Sequence, residues 1–146
     1  MKDAKYLGSL KMSDNTGCPL CSKKDIVVED GKAVENELAY VLHDSYPVSP
    51  GHCLIVPRQH IAEYFQATRD EKAAIWELVD RMKAIIDKQY APDGYNIGVN
   101  IGKAAGQSVP HIHIHMIPRY NGDMENPKGG VRGVIPSKQK YETKKT

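Results

Sequence analysis

The sequence predicts an α+β fold in which an antiparallel sheet carries one long helix, and three observations lead there. Short runs of branched and apolar residues, of strand length or strand alternation, stand at 26–29, 38–42, 52–57, 95–101 and 109–117. One long stripe with helical spacing separates the first three runs from the last two. Strands grouped before and after a single helix favour antiparallel pairing over a wound parallel sheet. A chain of 146 residues fits one domain with its own core.

The elements follow in order. Residues 1–17 are polar and read as a flexible N-terminal segment. The runs IVVE and LAYVL flank a turn containing Asp30-Gly31, which predicts a hairpin between them. Pro47, Pro50 and Gly51 break the chain before HCLIVP, a run rich in branched residues that predicts a central strand. Thr68-Arg69-Asp70-Glu71 has the form of a capping box. It precedes Ile75, Leu78, Val79, Met82, Ile85 and Ile86, whose spacing predicts a helix over 68–89. Trp76, beside that stripe, reads as a packing residue. Ala91-Pro92-Asp93-Gly94 ends the helix, YNIGVNI predicts a strand, GKAAGQS a glycine-bearing loop, and VPHIHIHMI a last strand opened by Pro110. The ending SKQKYETKKT, 137–146, reads as a basic flexible tail.

Composition narrows the function classes. Lys plus Arg total 20 against 18 for Asp plus Glu, and a net charge of +2 does not make nucleic acid or an acidic membrane surface the expected partner. The charged start and the lack of an 18-residue apolar run argue against a signal peptide or a membrane span, so a cytoplasmic location is expected. Three cysteines are an odd number and too few for a disulfide scaffold, which fits a reducing compartment. Cys18-Pro19-Leu20-Cys21 is compatible with zinc, with redox chemistry or with chance, whereas Cys53 sits in an apolar run and reads as core.

Chemistry concentrates in GQSVPHIHIHMIPR. His111, His113 and His115 occupy alternate positions, so a strand there would show all three on one face. A surface strand ordinarily uses Thr, Lys, Glu or Ser, and three of the six histidines of the chain within one five-residue window argue against that reading. A metal hydrolase site of the histidine and carboxylate type lacks a neighbouring Asp or Glu, though zinc on all three rings stays open. A catalytic row is favoured, because neutral imidazole attacks phosphorus and is readily oriented by its neighbours. Gly102, Gly106, Gln107 and Ser108 precede the row with backbone N–H donors, an amide and a hydroxyl, as an anion cradle requires.

Gln107-Ser108-Val109 followed by His111-Ile112-His113-Ile114-His115-Met116-Ile117 resembles the signature of the histidine triad (HIT) superfamily. Leu42-His43-Asp44, Pro50-Gly51-His52, Ile55 to His60 and Asn100-Ile101-Gly102 resemble its other segments, and the likeness implies a HIT domain over 18–136. It implies a HIT-like fold with one long and one short helix, and a homodimer across which the sheet continues. It also implies hydrolysis or transfer at a nucleotide α-phosphate through a covalent nucleotidyl-histidine. His113 is then the nucleophile, His115 contacts phosphate or leaving-group oxygens, and His52 orients the row. Asn100, Gly106, Gln107, Ser108 and Val109 fall on the phosphate side, while Leu42, His43 and Asp44 fall on the base and ribose side.

Some members of the superfamily complete a Cys-x-x-Cys pair with two histidines, here His60 and His111, which implies a structural zinc on Cys18, Cys21, His60 and His111. Magnesium enters only as a companion of a polyphosphate substrate. The stretch from Pro118 to Asp123, with Gly129-Gly130-Val131-Arg132-Gly133-Val134-Ile135-Pro136, resembles the dinucleoside polyphosphate hydrolase branch. The expected substrate is therefore a dinucleoside polyphosphate such as diadenosine tetraphosphate. Nucleoside phosphoramidates and aminoacyl adenylates use the same intermediate and are the alternative within the enzyme class. A nucleotide-binding sensor with residual hydrolysis is the alternative outside it.

Overall fold

The structure is a computed structural model that describes residues 17–144. The expected N-terminal segment, apart from Gly17, and the last two residues of the tail lie outside the described residues. The strands are β1 (Val28–Glu29), β2 (Lys32–Ala33), β3 (Ala39–His43), β4 (Cys53–Pro57), β5 (Gly94–Gly98) and β6 (Ile114–Arg119), with one long helix, α1 (Arg69–Tyr90). The main sheet is antiparallel with order β3-β4-β6-β5. The HCLIVP run is thus an inner strand. The shorter helical pieces are 3-10 turns, at Tyr64–Gln66, Lys103–Ala105, Gly130–Val134 and Pro136–Lys138.

Helix α1 starts where the sequence marks it. The Thr68 hydroxyl accepts from the Glu71 N–H while the Glu71 carboxylate accepts from the Thr68 N–H, closing the box. Ile75, Leu78, Val79, Met82, Ile85 and Ile86 are all buried against one face of the sheet, with Val41, Cys53, Ile55, Ile114 and Met116 opposite them. Trp76 stays partly exposed, its indole N–H donating to the Tyr64 hydroxyl. Among the described residues no helix is long and apolar enough to cross a membrane.

Three expected boundaries shift, each for a local reason. Asp30 and Gly31 both have positive φ, 49° and 76°, the backbone of a two-residue hairpin turn, so β1 pairs with β2 rather than across to β3. The residues before β1 nevertheless join β3: the Val27 N–H donates to the Val41 carbonyl and the His43 N–H to the Asp25 carbonyl, both at 2.8 Å. The strand expected over 95–101 stops at Gly98. The last strand starts at Ile114, because the Ile112 N–H donates to the Ile61 carbonyl and the His111 N–H to the Val109 carbonyl, which ties this stretch outside the ladder.

The sheet face away from α1 positions the site. There Tyr40, Leu42, Leu54 and Val56 form a second core with Leu20, packed by Cys18, Ile26 and Val109. The segment 17–26 thus covers β3 and β4. At the other end, the chain after β6 turns back toward β5: a Cβ on Gly130 would lie 3.3 Å from the Asn96 amide. Gly129 has φ +93°, and a Cβ there would strike the Gln139 carbonyl, so this turn requires glycine. Residues 137–141, read from composition as part of a tail, fold back: Arg132 donates to the Lys138 carbonyl and its guanidinium lies 4.7 Å from the Tyr141 ring.

Candidate functional site

Each triad histidine is held by a different partner, and each partner fixes which nitrogen carries the proton. The His113 Nδ1 lies 2.9 Å from the His111 carbonyl, which only accepts, so Nδ1 bears the hydrogen and Nε2 keeps its lone pair. The His111 ring is fully buried, and its Nε2 donates to the Pro57 carbonyl at 2.9 Å, which leaves Nδ1 as the free lone pair. The Val48 N–H donates to His52 Nδ1 at 3.0 Å, so the neutral His52 ring carries its proton on Nε2. That Nε2 lies 3.0 Å from His115 Nδ1, and the donated proton leaves His115 protonated on its own Nε2. A backbone N–H thereby determines, through two imidazoles, that His115 offers a donor.

Asp44 stands beside this pair. One of its carboxylate oxygens accepts from the Tyr46 N–H at 2.8 Å, and the other lies 3.4 Å from His52 Nε2 and 3.8 Å from His115 Nδ1. Its carboxylate is therefore directed at the histidines, a contact that sequence reading did not anticipate. Burial is the main force on His115 and holds its ring neutral down to about 4, with the charges of His113 and His52 adding to the effect and Asp44 opposing it. Burial also lowers His52, again against the pull of Asp44.

The sign of the resulting pH dependence follows. An unfolded histidine takes up its proton near 6.5, whereas folded His115 resists until about 4. Stability from this ring is complete above 6.5 and falls as pH is lowered through that interval. Thermal melts should therefore show the midpoint dropping between these limits, and His115→Gln should flatten part of the slope. A midpoint that rises with acidification would contradict the buried neutral ring.

The second cluster gathers Cys18, Cys21, His60 and His111, whose ligand atoms all lie within 4.8 Å of one another. Cys21 Sγ is 3.3 Å from His60 Nδ1 and 3.2 Å from His111 Nδ1, and Cys18 Sγ is 3.4 Å from His111 Nδ1. Two thiols and two imidazole lone pairs at such spacing match a tetrahedral metal site, and the Pro57 carbonyl supplies the outer hydrogen bond that orients a ligating ring. Asp44, His52 and His115 also group closely enough to suggest a metal. There, however, the Val48 N–H occupies His52 Nδ1, so a metal on Nε2 would require that ring to lose both protons.

The other sequence candidates divide by what they touch. Gln107 is committed to its own loop: its carbonyl accepts from the Gly102 N–H, and its amide donates to the Ala62 and Val109 carbonyls. It shapes the glycine loop, in which Gly102 and Gly106 take positive φ of 86° and 90°. Ser108 at the surface keeps its hydroxyl available. Leu42 is buried in the second core, where Leu54 is its cross-strand neighbour, rather than open to a base, and His43 is exposed at the end of β3.

A cavity of about 350 Å³ adjoins His52 and His115, and Asn100 lines it together with residues that sequence reading missed. Those are Asn96, Gly98 and Ile117 on the strands, Val48 before β4, and Val131 and Val134 from the turn after β6. The period-two spacing of Asn96, Gly98 and Asn100 was the available signal, since alternate residues share a face.

Together, a four-stranded antiparallel sheet, one long helix and a histidine row at the start of an inner strand define a class. Residues 26–122 match the family model described as HIT domain, and the chain belongs to that family. It is 36% identical over 90 residues to a bis(5'-adenosyl)-triphosphatase of Dictyostelium discoideum, covering 62% of this chain and 60% of that protein. It is 33% identical over 105 residues to an AP-4-A phosphorylase of Mycobacterium tuberculosis, covering 71% of this chain and 51% of that protein. Among solved structures, a Zn-bound histidine triad family protein from Mycobacterium smegmatis aligns with TM-score 0.64 and 31% identity, over 77% of this chain and 81% of that one.

Proposed function

We propose that this chain is a nucleotide hydrolase that cleaves dinucleoside polyphosphates at the α-phosphate, with His113 as nucleophile. The observation that carries this reading is the bond from His113 Nδ1 to the His111 carbonyl, which leaves Nε2 unprotonated and without a partner among the described residues. In the first step Nε2 attacks phosphorus, a P–N bond forms, and the P–O bond to the departing polyphosphate breaks. The donor on His115 Nε2 serves the departing oxygen. Water then attacks phosphorus and gives up a proton to solvent, the P–N bond breaks, and His113 leaves with its lone pair back on Nε2 and its hydrogen on Nδ1.

Ser108 and Asn100 hold the phosphate oxygens in this reading, while the N–H groups of Gly102, Gly106 and Gln107 are taken within the loop and Gln107 keeps it in shape. His43 and Asp44 form the ribose edge in this reading, and Leu42, buried in the second core, does not meet the base. Magnesium belongs to the polyphosphate rather than to the chain. The enzyme names of two relatives support nucleotide chemistry as the class.

Zinc is the proposed metal of Cys18, Cys21, His60 and His111, on the strength of the donor set. When bound it supplies structure and no reacting atom, holding the segment before Ile26 to the chain on either side of the core. The outer edge of β5 has no strand partner among the described residues, and pairing of two copies along it is the proposed homodimer. Sedimentation as a monomer would refute that pairing.

The activity is tested by steady-state release of AMP from diadenosine tri- and tetraphosphate, beside adenosine 5'-phosphoramidate. Many turnovers on a dinucleotide support the hydrolase. Turnover on the phosphoramidate alone would move the substrate class, and tight binding without turnover on all three would make the protein a sensor.

A further inference from the structure

We propose that the cavity beside His115 receives the departing nucleoside of a dinucleoside polyphosphate, the half that is not transferred to His113. The inference rests on the hydrolase reading above and extends it to a leaving-group subsite.

Size comes first. A volume of about 350 Å³ lies at the low end of ligand pockets, which run from roughly 300 to 1,000 Å³, and is enough for one nucleoside. Its walls then select the chemistry. Val48, Ile117, Val131 and Val134 give apolar surfaces for a flat ring, and Asn96 lines the space with them. A carboxamide whose oxygen is occupied keeps two N–H donors, which complement an acceptor on a nucleobase edge. Asn96 is held in that state: its side-chain carbonyl accepts from Arg119 Nη1, and Arg119 is itself clamped by Asp123.

The register points to the leaving side. Gly98 is the cross-strand partner of His115, and Asn96 that of Ile117, so all four share the cavity face. A Cβ added to Gly98 would meet nothing within 4 Å, and its φ lies outside the range that calls for glycine. Neither crowding nor backbone conformation requires this glycine, and its missing side chain leaves the space next to His115 open. His115 bears the donor that serves the departing oxygen, and the space continuous with it is where the departing group lies. Asp44, on the ribose side of the transferred nucleotide in the hydrolase reading, is not part of this wall.

The test compares substrates that share the transferred nucleotide and differ in what leaves. For the parent, Gly98→Val and Val134→Asp, kcat/KM is measured on diadenosine tetraphosphate, which releases a nucleotide, and on adenosine 5'-phosphoramidate, which releases ammonia. Both substitutions should lower the ratio of the two kcat/KM values at least about tenfold, the loss expected for blocking or charging an apolar subsite. Val134 is 79% exposed, so its variant keeps the test open if Gly98→Val fails to fold. An unchanged ratio in a folded variant, whether both rates fall together or neither does, overturns the subsite. A parent that hydrolyses the phosphoramidate but not the dinucleotide also overturns it while leaving the nucleotidyl-histidine intact. A parent inactive on both removes the hydrolase reading itself.

Discussion

Replacing His113 by Asn should reduce kcat on a dinucleoside polyphosphate by at least about a thousandfold while nucleotide affinity changes only a few-fold. The substitution is chosen for its geometry. An Asn side-chain amide can still donate to the His111 carbonyl, as His113 Nδ1 does at 2.9 Å, but nothing replaces the Nε2 lone pair. Loss of binding would mean that the ring positions substrate; loss of turnover alone isolates it as the nucleophile. In the parent, an alkaline quench during turnover followed by peptide mass analysis should find the added nucleotide on the peptide's His113. An adduct on another side chain, or parental rates in the variant, would end the assignment.

The second large effect is expected from the metal. Cys18→Ser combined with Cys21→Ser should abolish bound zinc in protein purified without added metal, and lower the melting midpoint by on the order of 10 °C. The cluster joins three stretches distant in sequence: the knuckle at 18–21, His60 after β4 and His111 before β6. Removing the metal unties these stretches and leaves the knuckle held by Leu20 in the second core and by the bond from the Tyr40 hydroxyl to the Leu20 carbonyl. Turnover should fall as well, by about tenfold or more, because His111 also provides the carbonyl that orients His113. A parent that contains no metal, or a double variant that melts with the parent, would show that the four side chains merely pack.

Local chemistry made much of the fold legible in the sequence. The capping box, the stripe from Ile75 to Ile86 and the branched HCLIVP run each form as their patterns predict, because caps, helical periodicity and burial of an inner strand are encoded within a few residues. Pairing was less legible. Asp30-Gly31 marked a turn but not which strands it joins, since positive φ at both residues selects the nearest neighbours while Val27 still bonds to Val41. The histidine alternation also hid a division: His111 leaves the ladder to meet the cysteines, whereas His115 stays in it opposite Gly98.

Taken alone, the sequence determined the α+β class, the helix, the histidine row and the Cys18-x-x-Cys21 pair. These are statements about residue types and short spacings, which covalent neighbours control, whereas the grouping of that pair with His60 and His111 was implied by the family resemblance. Tertiary structure alone decided which nitrogen of each ring carries the proton, since the Val48 N–H and the Pro57 and His111 carbonyls come from folded backbone. It also decided that Asp44 faces two histidines and that the turn after β6 closes a cavity over Asn96 and Gly98. Protonation and enclosure depend on atoms brought within a few ångströms by the whole chain, and no local pattern carries those distances.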